Sequence, residues 1–380
     1  KRRDLFIMKK VLHISHSLET GGGPEYIKKI ISHNDNYDYY VIGNKGFYYD
    51  YFKELLGKEK VFELKKKNIL YNNYLIKKII RKVCPDIIHI HGRGASIYAR
   101  MFNKKNAKKT IYTLHGFNID NLGWIKKFFY LNIEKLFSDY VKKIVCVSNS
   151  EKYFFLKNVK NIDKNKIVTI PNYIDHLFDH DYMEMENIRK YIIDNFGIDI
   201  YNYDVRLITI SRFTYEKGID LSVEALKNLK KYNFLLIIIG EGREEPKIRE
   251  KIQEYNLNDN ILLLGKINNA RTWLKSFDGL LLSSRFEGMP FTLLEAVDAC
   301  IPVIVTPSRG IIDVVGYNYK YLSRGIDENS LKDVLEKYFL DFKNNKQEIS
   351  YWVETLYNKL KNEYSKENTL LKIYELYESI

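Results

Sequence analysis

At 380 residues, 45% of them hydrophobic and 29% charged, the chain is long enough for two globular domains and is neither disordered nor fibrous in composition. No apolar run approaches the roughly 18 residues that a membrane-spanning helix needs. The net charge of +13 is uneven: residues 1–170 hold 34 Lys and Arg against 15 Asp and Glu, or +19, and residues 171–380 hold 27 against 33, or −6.

The N-terminal stretch KRRDLFIMKKVLHIS has no signal-peptide apolar core ahead of a small-residue cleavage site. Met8 followed by Lys9-Lys10 has the look of a natural start, with residues 1–7 an addition ahead of it. Short apolar runs predict strands at Val11–Ser15, Tyr39–Ile42, Ile87–His91, Thr110–Leu114, Ile144–Val147 and Ile167–Ile170. Amphipathic stretches between them predict helices at Glu25–Ser32, Tyr71–Val83, Ala95–Phe102 and Trp124–Phe137. The segment from Trp124 to Tyr130 mixes cations with aromatics; a helix with a core face is the preferred reading, and docking on a membrane surface is the other.

Pro171 to Asp175 interrupts this rhythm, and an acidic stretch follows to Asp199. Strands resume at Arg206–Ser211, Phe234–Gly240, Ile261–Leu264, Gly279–Leu282 and Val303–Val305, and the tail from Ser330 to Ile380 is helical in pattern throughout. Two alternating halves with one break predict an α/β protein of two Rossmann-like domains, their parallel sheets facing a central cleft. Cys146 and Cys300 sit in apolar segments and read as buried thiols of a reducing cytoplasm; with Cys84 they show no metal-ligand spacing.

The most informative stretch is Ser283 to Ala296, SSRFEGMPFTLLEA. An apolar strand leads into a turn with Glu287, Gly288, Met289 and Pro290, and a helix begins near Phe291. A strand, a glycine turn and a helix start offer backbone N–H groups to an anion. Glu287 and Glu295, eight residues apart, bracket it, and carboxylates accept hydrogen bonds from hydroxyls. A ligand with both phosphate and hydroxyl groups, such as a nucleotide sugar, fits that combination. After the first strand of the same half, Arg212 and Lys217 offer fixed cations that can grip a diphosphate. Thr292 either adds a hydroxyl to the phosphate or caps the helix.

Glycines mark three other strand ends. Gly240 and Gly242 fall in a strand-to-helix turn, which uses glycine in any case. Gly21, Gly22 and Gly23, followed by Pro24, permit positive φ and close backbone approach, but match neither a dinucleotide fingerprint nor a phosphate loop. His115-Gly116 and His91-Gly92 each close a strand. An imidazole there can donate to a sugar hydroxyl, and an ordinary histidine pKa lies near working pH; a satisfied core histidine is the other reading.

The Glu287-to-Glu295 spacing with Gly288-Met289-Pro290 inside it resembles the retaining, nucleotide-sugar-dependent glycosyltransferases of family four, which have the GT-B fold. The resemblance implies a metal-independent hexosyltransferase with three parts. An acceptor-binding domain over residues 1–172 is followed by a donor-binding domain over 173–360, and residues 361–380 form a helix that crosses back. It implies that Arg212 and Lys217 bind the donor pyrophosphate and stabilise the leaving group. Glu287 and the segment Gly288–Phe291 approach the donor sugar and phosphates, and Glu295 takes the ribose hydroxyls. Gly240 and Gly242 lie near the base or pyrophosphate, Gly21–Gly23 on the acceptor side, His115 at the reacting sugar and His91 toward the acceptor.

The resemblance also implies no cofactor and no metal, a donor with UDP preferred over GDP, and a glycan or lipid-linked acceptor in polysaccharide or lipopolysaccharide assembly. The basic first half would then serve a phosphate-bearing acceptor or the anionic inner membrane face, and the enzyme would be cytoplasmic, free or membrane-associated. The rival reading is a basic nucleic-acid- or glycan-binding protein without transferase activity. The chain shows no zinc, helix-turn-helix or stacking-platform signature in favour of nucleic acid, and none is expected as a partner.

Overall fold

The computed structural model describes residues 8–33, 35–65, 68–120, 122–176 and 179–380; the addition expected ahead of Met8 lies outside them. The chain divides into two compact units. One runs to Asn172 and takes in Glu367–Ile380, and the other is Tyr173–Lys366.

The first unit is built on β1 (Lys10–Ser17), β2 (Asp38–Asn44), β3 (Val61–Leu64), β4 (Ile87–His91), β5 (Thr110–Thr113), β6 (Lys143–Cys146) and β7 (Ile167–Thr169). These form one sheet in the order β3-β2-β1-β4-β5-β6-β7, every neighbouring pair parallel. Leu12, Ile14, Ile88 and Ile90 on the central strands are fully buried, as a sheet covered on both faces requires. Strand β3 is absent from the sequence reading. It is a four-residue edge strand with only Val61 and Leu64 buried, too short and too polar to register as an apolar run.

The second unit holds β8 (Val205–Ile210), β9 (Phe234–Ile239), β10 (Ile261–Gly265), β11 (Gly279–Leu282) and β12 (Val303–Val305). Their order is β10-β9-β8-β11-β12, again parallel throughout. All six residues of β9, FLLIII, are buried. In both sheets the chain winds outward in one direction, then returns to start again beside its first strand. The loops after β1 and β4 therefore diverge at one switch point, and those after β8 and β11 at the other, which is where open α/β sheets bind ligands.

The final helix, Lys366–Glu378, packs in the first unit. Tyr377, fully buried, lies with its hydroxyl 2.8 Å from His89 Nδ1 and its ring edge-on to Tyr37 at 5.2 Å. Glu378 accepts from the Tyr37 hydroxyl at 2.8 Å and pairs with Lys9 at 3.0 Å. The tail thus closes a hole in the first core that its own first 172 residues leave open. No helix among the described residues is long and apolar enough to cross a membrane.

Of the cysteines, Cys146 is buried, whereas Cys300 is exposed. Cys300 stands at φ 56 just after the helix Phe291–Asp298, and a turn there faces water whatever its apolar neighbours.

Replacing Tyr377 by Ala should remove the hydroxyl from His89 and leave a cavity under the final helix. We expect a loss of about 3–5 kcal/mol in urea unfolding of the first unit, with Tyr377→Phe losing only the smaller hydrogen-bond part.

Candidate active site

At the second unit's switch point, the loops after β8 and β11 are stapled to each other. Lys217 Nζ donates to Glu287 Oε1 at 2.6 Å, and Ser284 Oγ donates to the same oxygen at 2.7 Å. Arg285, one turn residue away, is the clamp. Its guanidinium makes a bidentate pair with Asp220 at 2.8 and 2.7 Å and donates to the Tyr215 carbonyl at 2.9 Å. Its own backbone N–H donates to Glu216 at 2.8 Å. A fork of two parallel bonds fixes direction as well as distance.

Two glycines make this approach sterically possible. Gly218 has φ 62, and a Cβ on it would stand 2.1 Å from the Ser283 carbonyl oxygen. Gly240, at the end of β9, has φ 148, and its Cβ would stand 1.9 Å from the Ser211 carbonyl oxygen. Both separations are below any real van der Waals contact. Gly242 is adjacent, where Phe213 N–H donates to the Glu241 carbonyl at 2.9 Å. The Gly240-Glu241-Gly242 turn therefore presses against the Ser211–Phe213 loop and shapes the backbone that carries Arg212, whose side chain is exposed.

The helix Phe291–Asp298 starts at Pro290, which gives it no side-chain cap. Thr292 does not cap it either; its hydroxyl donates to the Ile210 carbonyl at 3.4 Å and ties the helix start to the end of β8. Gly288 and Met289 are buried in the turn, and Glu295 is half-buried more than one turn into the helix. The second unit thus gathers Lys217, Glu287, Thr292, Gly240 and the Arg212 loop at one sheet edge. Arg285, Asp220 and Ser284 were missed. Arg285 stands inside SSRFEGM, but its partner Asp220 is far away in sequence and nothing local announces the pairing.

At the first unit's switch point the side chains are histidines. His13 Nδ1 and His91 Nε2 are 2.9 Å apart, and His91 Nδ1 and His115 Nε2 are 3.1 Å apart. Burial pushes His13 and His115 down to about 3 and His91 well below the ordinary value. His115 is therefore a neutral imidazole at working pH, which corrects the expectation of a pKa near neutrality. It can give or accept a hydrogen bond but does not switch charge.

His115 also has φ 55, a left-handed backbone that L-residues seldom adopt. Glu151, almost fully buried, holds it there. Its Oε1 accepts from the Gly116 and Phe117 N–H groups at 2.6 and 2.7 Å, and its Oε2 from Val147 N–H at 2.8 Å. The sequence reading missed this residue: Ser148-Asn149-Ser150-Glu151 marks a helix start and Val147 is four residues away, but the Gly116 and Phe117 amides are brought to it only by the fold.

The three glycines also differ from expectation. None of Gly21, Gly22 and Gly23 lies in the left-handed region, and the helix begins at Gly22. A Cβ on Gly21 or Gly22 would meet nothing within 4 Å, and on Gly23 only the His115 ring at 3.9 Å. What their missing side chains leave is open space beside His115, which suits a ligand.

The group of described residues that comes nearest to a metal-ligand set is His13, His89 and His91, whose ring nitrogens lie within 4.8 Å of one another. All but His13 Nε2 already have partners: His89 meets Tyr377 and Thr113, and the others meet each other and His115.

A model of the glycosyl transferases group 1 matches residues 194–352, and a model of Glycosyltransferase Family 4 matches residues 45–176. An uncharacterized glycosyltransferase of Methanocaldococcus jannaschii is 28% identical over 304 residues, covering 72% of this chain and 73% of that protein. An O-antigen biosynthesis glycosyltransferase of Escherichia coli, WbnH, is 24% identical over 276 residues, with 72% and 73% covered. Among solved structures, Anabaena HepE in complex with UDP-glucose superposes with a TM-score of 0.80 over 98% of this chain and all of that one, at 15% identity. With family models over residues 45–176 and 194–352, the chain belongs to the family-four glycosyltransferases, and the match along nearly the whole length gives it the GT-B fold.

Proposed function

We propose that this glycosyltransferase is retaining and metal-independent, and that it moves a sugar from a uridine diphosphate donor to a glycan or lipid-linked glycan in cell-surface polysaccharide assembly. The observation that carries this is the Lys217–Glu287 pair at the switch point of the second sheet, 2.6 Å between charges and clamped from behind by Arg285. A cation for phosphate and an acid for sugar hydroxyls stand side by side before any ligand arrives. Little ordering is then left for the moment of reaction.

In this reading Lys217 and the exposed Arg212 receive the pyrophosphate, together with the amides of Gly288 to Phe291 at the uncapped helix start. Glu287 accepts from the donor sugar and Glu295 from the ribose. Retention then follows from same-face attack. The acceptor oxygen bonds to the anomeric carbon as the bond from that carbon to the phosphate oxygen breaks, and the acceptor proton passes to the leaving phosphate. Arg212 and Lys217 offset the charge that grows on the diphosphate, the task a metal performs elsewhere.

The likeness to a structure with bound UDP-glucose supports a uridine donor, and the O-antigen relative supports a polysaccharide acceptor. The +19 of residues 1–170 suits an acceptor with phosphate in its linkage. Open space at Gly21–Gly23, beside His115 and near His91, is where the first unit would take it.

A thermal-shift series of UDP, GDP, ADP and CMP with EDTA present should single out UDP. Saturation at a hundredfold above Kd corresponds to about 2.7 kcal/mol of added stability. Glu295→Ala should abolish the shift while leaving the unliganded midpoint near that of the wild type. A response to GDP alone would replace the donor assignment, and none at all would sink the donor site.

With the donor identified, Arg212→Ala and Lys217→Ala should each slow UDP release about 10²–10³-fold. EDTA should leave the wild-type rate unchanged, and proton NMR of the product should show the donor's anomeric configuration. Loss of activity in EDTA, restored by a divalent cation, would refute metal independence.

A further inference from the structure

The helix Trp124–Tyr140 in the first unit is apolar on two faces at once. Its inner face is spoken for. Tyr130 stacks on Phe117 at 6.0 Å and receives the Arg93 guanidinium at 3.8 Å. Phe137 meets Tyr112 edge-on, and Glu134 is fully buried and paired with Arg100. Its outer face carries Trp124, Ile125, Phe128, Phe129, Ile133 and Leu136, all exposed, Trp124 at 81% and Leu136 at 70%. At 3.6 residues per turn these six cover roughly half of the helix circumference. Single exposed apolar residues need no explanation, but a contiguous strip on one helix does.

We propose that this outer face is a docking surface for a lipid bilayer with anionic headgroups. Charge names the occupant. At about 100° per residue, exposed Lys126 borders the apolar arc on one side and half-buried Lys135 lies just inside its other edge, between Trp124 and Phe128; Lys127 falls toward the body of the unit, and Lys142 and Lys143 follow the helix. The helix itself holds two acids: Glu134 is turned inward against Arg100, and Asp139 is exposed on the outer face at the last turn, with Lys142 and Lys143 just beyond it in the chain. Behind the helix, the segment 1–170 carries +19. An apolar arc with a lysine border is the pattern of a helix lying in the plane of a membrane interface, its apolar side chains buried to about 5–10 Å and its lysines at the headgroups. Trp124 at one end supplies a ring suited to the polar–apolar boundary. The strip is a convex ridge on one helix, which a fluid bilayer can wrap. The inference does not depend on the donor or on the stereochemistry of transfer.

The test uses the full chain with vesicles of phosphatidylcholine, with and without phosphatidylglycerol. The protein should sediment with the anionic vesicles and much less with the neutral ones, and salt should release it. Trp124 emission should shift to the blue on binding, a change that disappears in Trp124→Tyr. The triple substitution Trp124→Ser, Phe128→Ser, Phe129→Ser should abolish sedimentation while nucleotide-induced thermal shifts stay at wild-type values, since these side chains face solvent. Lys126→Ala and Lys135→Ala should weaken binding to anionic vesicles by on the order of fivefold each. Wild-type protein that ignores both vesicle types overturns the proposal, as does a triple variant that binds like the wild type. A wild-type dimer that the triple variant loses, with no vesicle binding by either, would make a second copy of the chain the occupant instead.

Discussion

Parallel pairing of β11 with β8 is the constraint on which the loop cluster of the second unit depends. Leu280 lies beside Ile208 in that register, and the β8 and β11 loops leave the same sheet edge next to each other. Strands adjacent in the sheet but some 70 positions apart in the chain thus bring Lys217 to Glu287. A parallel sheet orders all its carboxyl ends on one side, so every loop with chemistry to offer emerges there. The first sheet repeats the arrangement with β1 and β4, and its switch point gathers His13, His91 and the glycine turn.

What keeps these loops in place is paired charge and backbone hydrogen bonding beneath the exposed residues. Arg285 satisfies a carboxylate and a carbonyl while its own amide serves Glu216, so one residue fixes the Lys217 turn from three directions. Glu151 does the same for His115, spending both oxygens on three backbone N–H groups. Neither is placed to touch a substrate in the reading given above. Glu151 holds His115 in a left-handed conformation that it would not keep unaided, the usual way that backbone strain persists at functional loops. The close-packed glycines complete this: with any side chain at Gly218 or Gly240, the loops would have to part.

The histidines show how burial overrides intrinsic chemistry. Three fully buried imidazoles, His13, His89 and His91, and the half-buried His115 form one group, each a neighbour of at least one other. Desolvation disfavours the charged form of each, so each is held neutral. A neutral imidazole can donate through only one ring nitrogen, so His13, His91 and His115 must share a common direction of donation along the chain of contacts. The final helix enters the same group through Tyr377, so the last residues of the chain help to pack the strands that carry His89 and His91.

The sequence by itself determined the two parallel α/β halves, because runs such as FLLIII and ILLL are of strand length and alternate with amphipathic helical stretches. It also located the strand, turn and helix around Ser283 to Ala296, because that stretch is contiguous and its pattern is local. Strand β3 was not legible, since an edge strand with two buried residues carries no apolar run. The side chains that hold the site together were not legible either. Arg285 with Asp220, Glu151 with the His115 turn, and Tyr377 with His89 pair residues that only the tertiary fold brings near each other. The pKa of His115 and the exposure of Cys300 and of the Trp124 face were likewise decided by the fold, because burial belongs to the whole packed unit and not to any stretch of sequence.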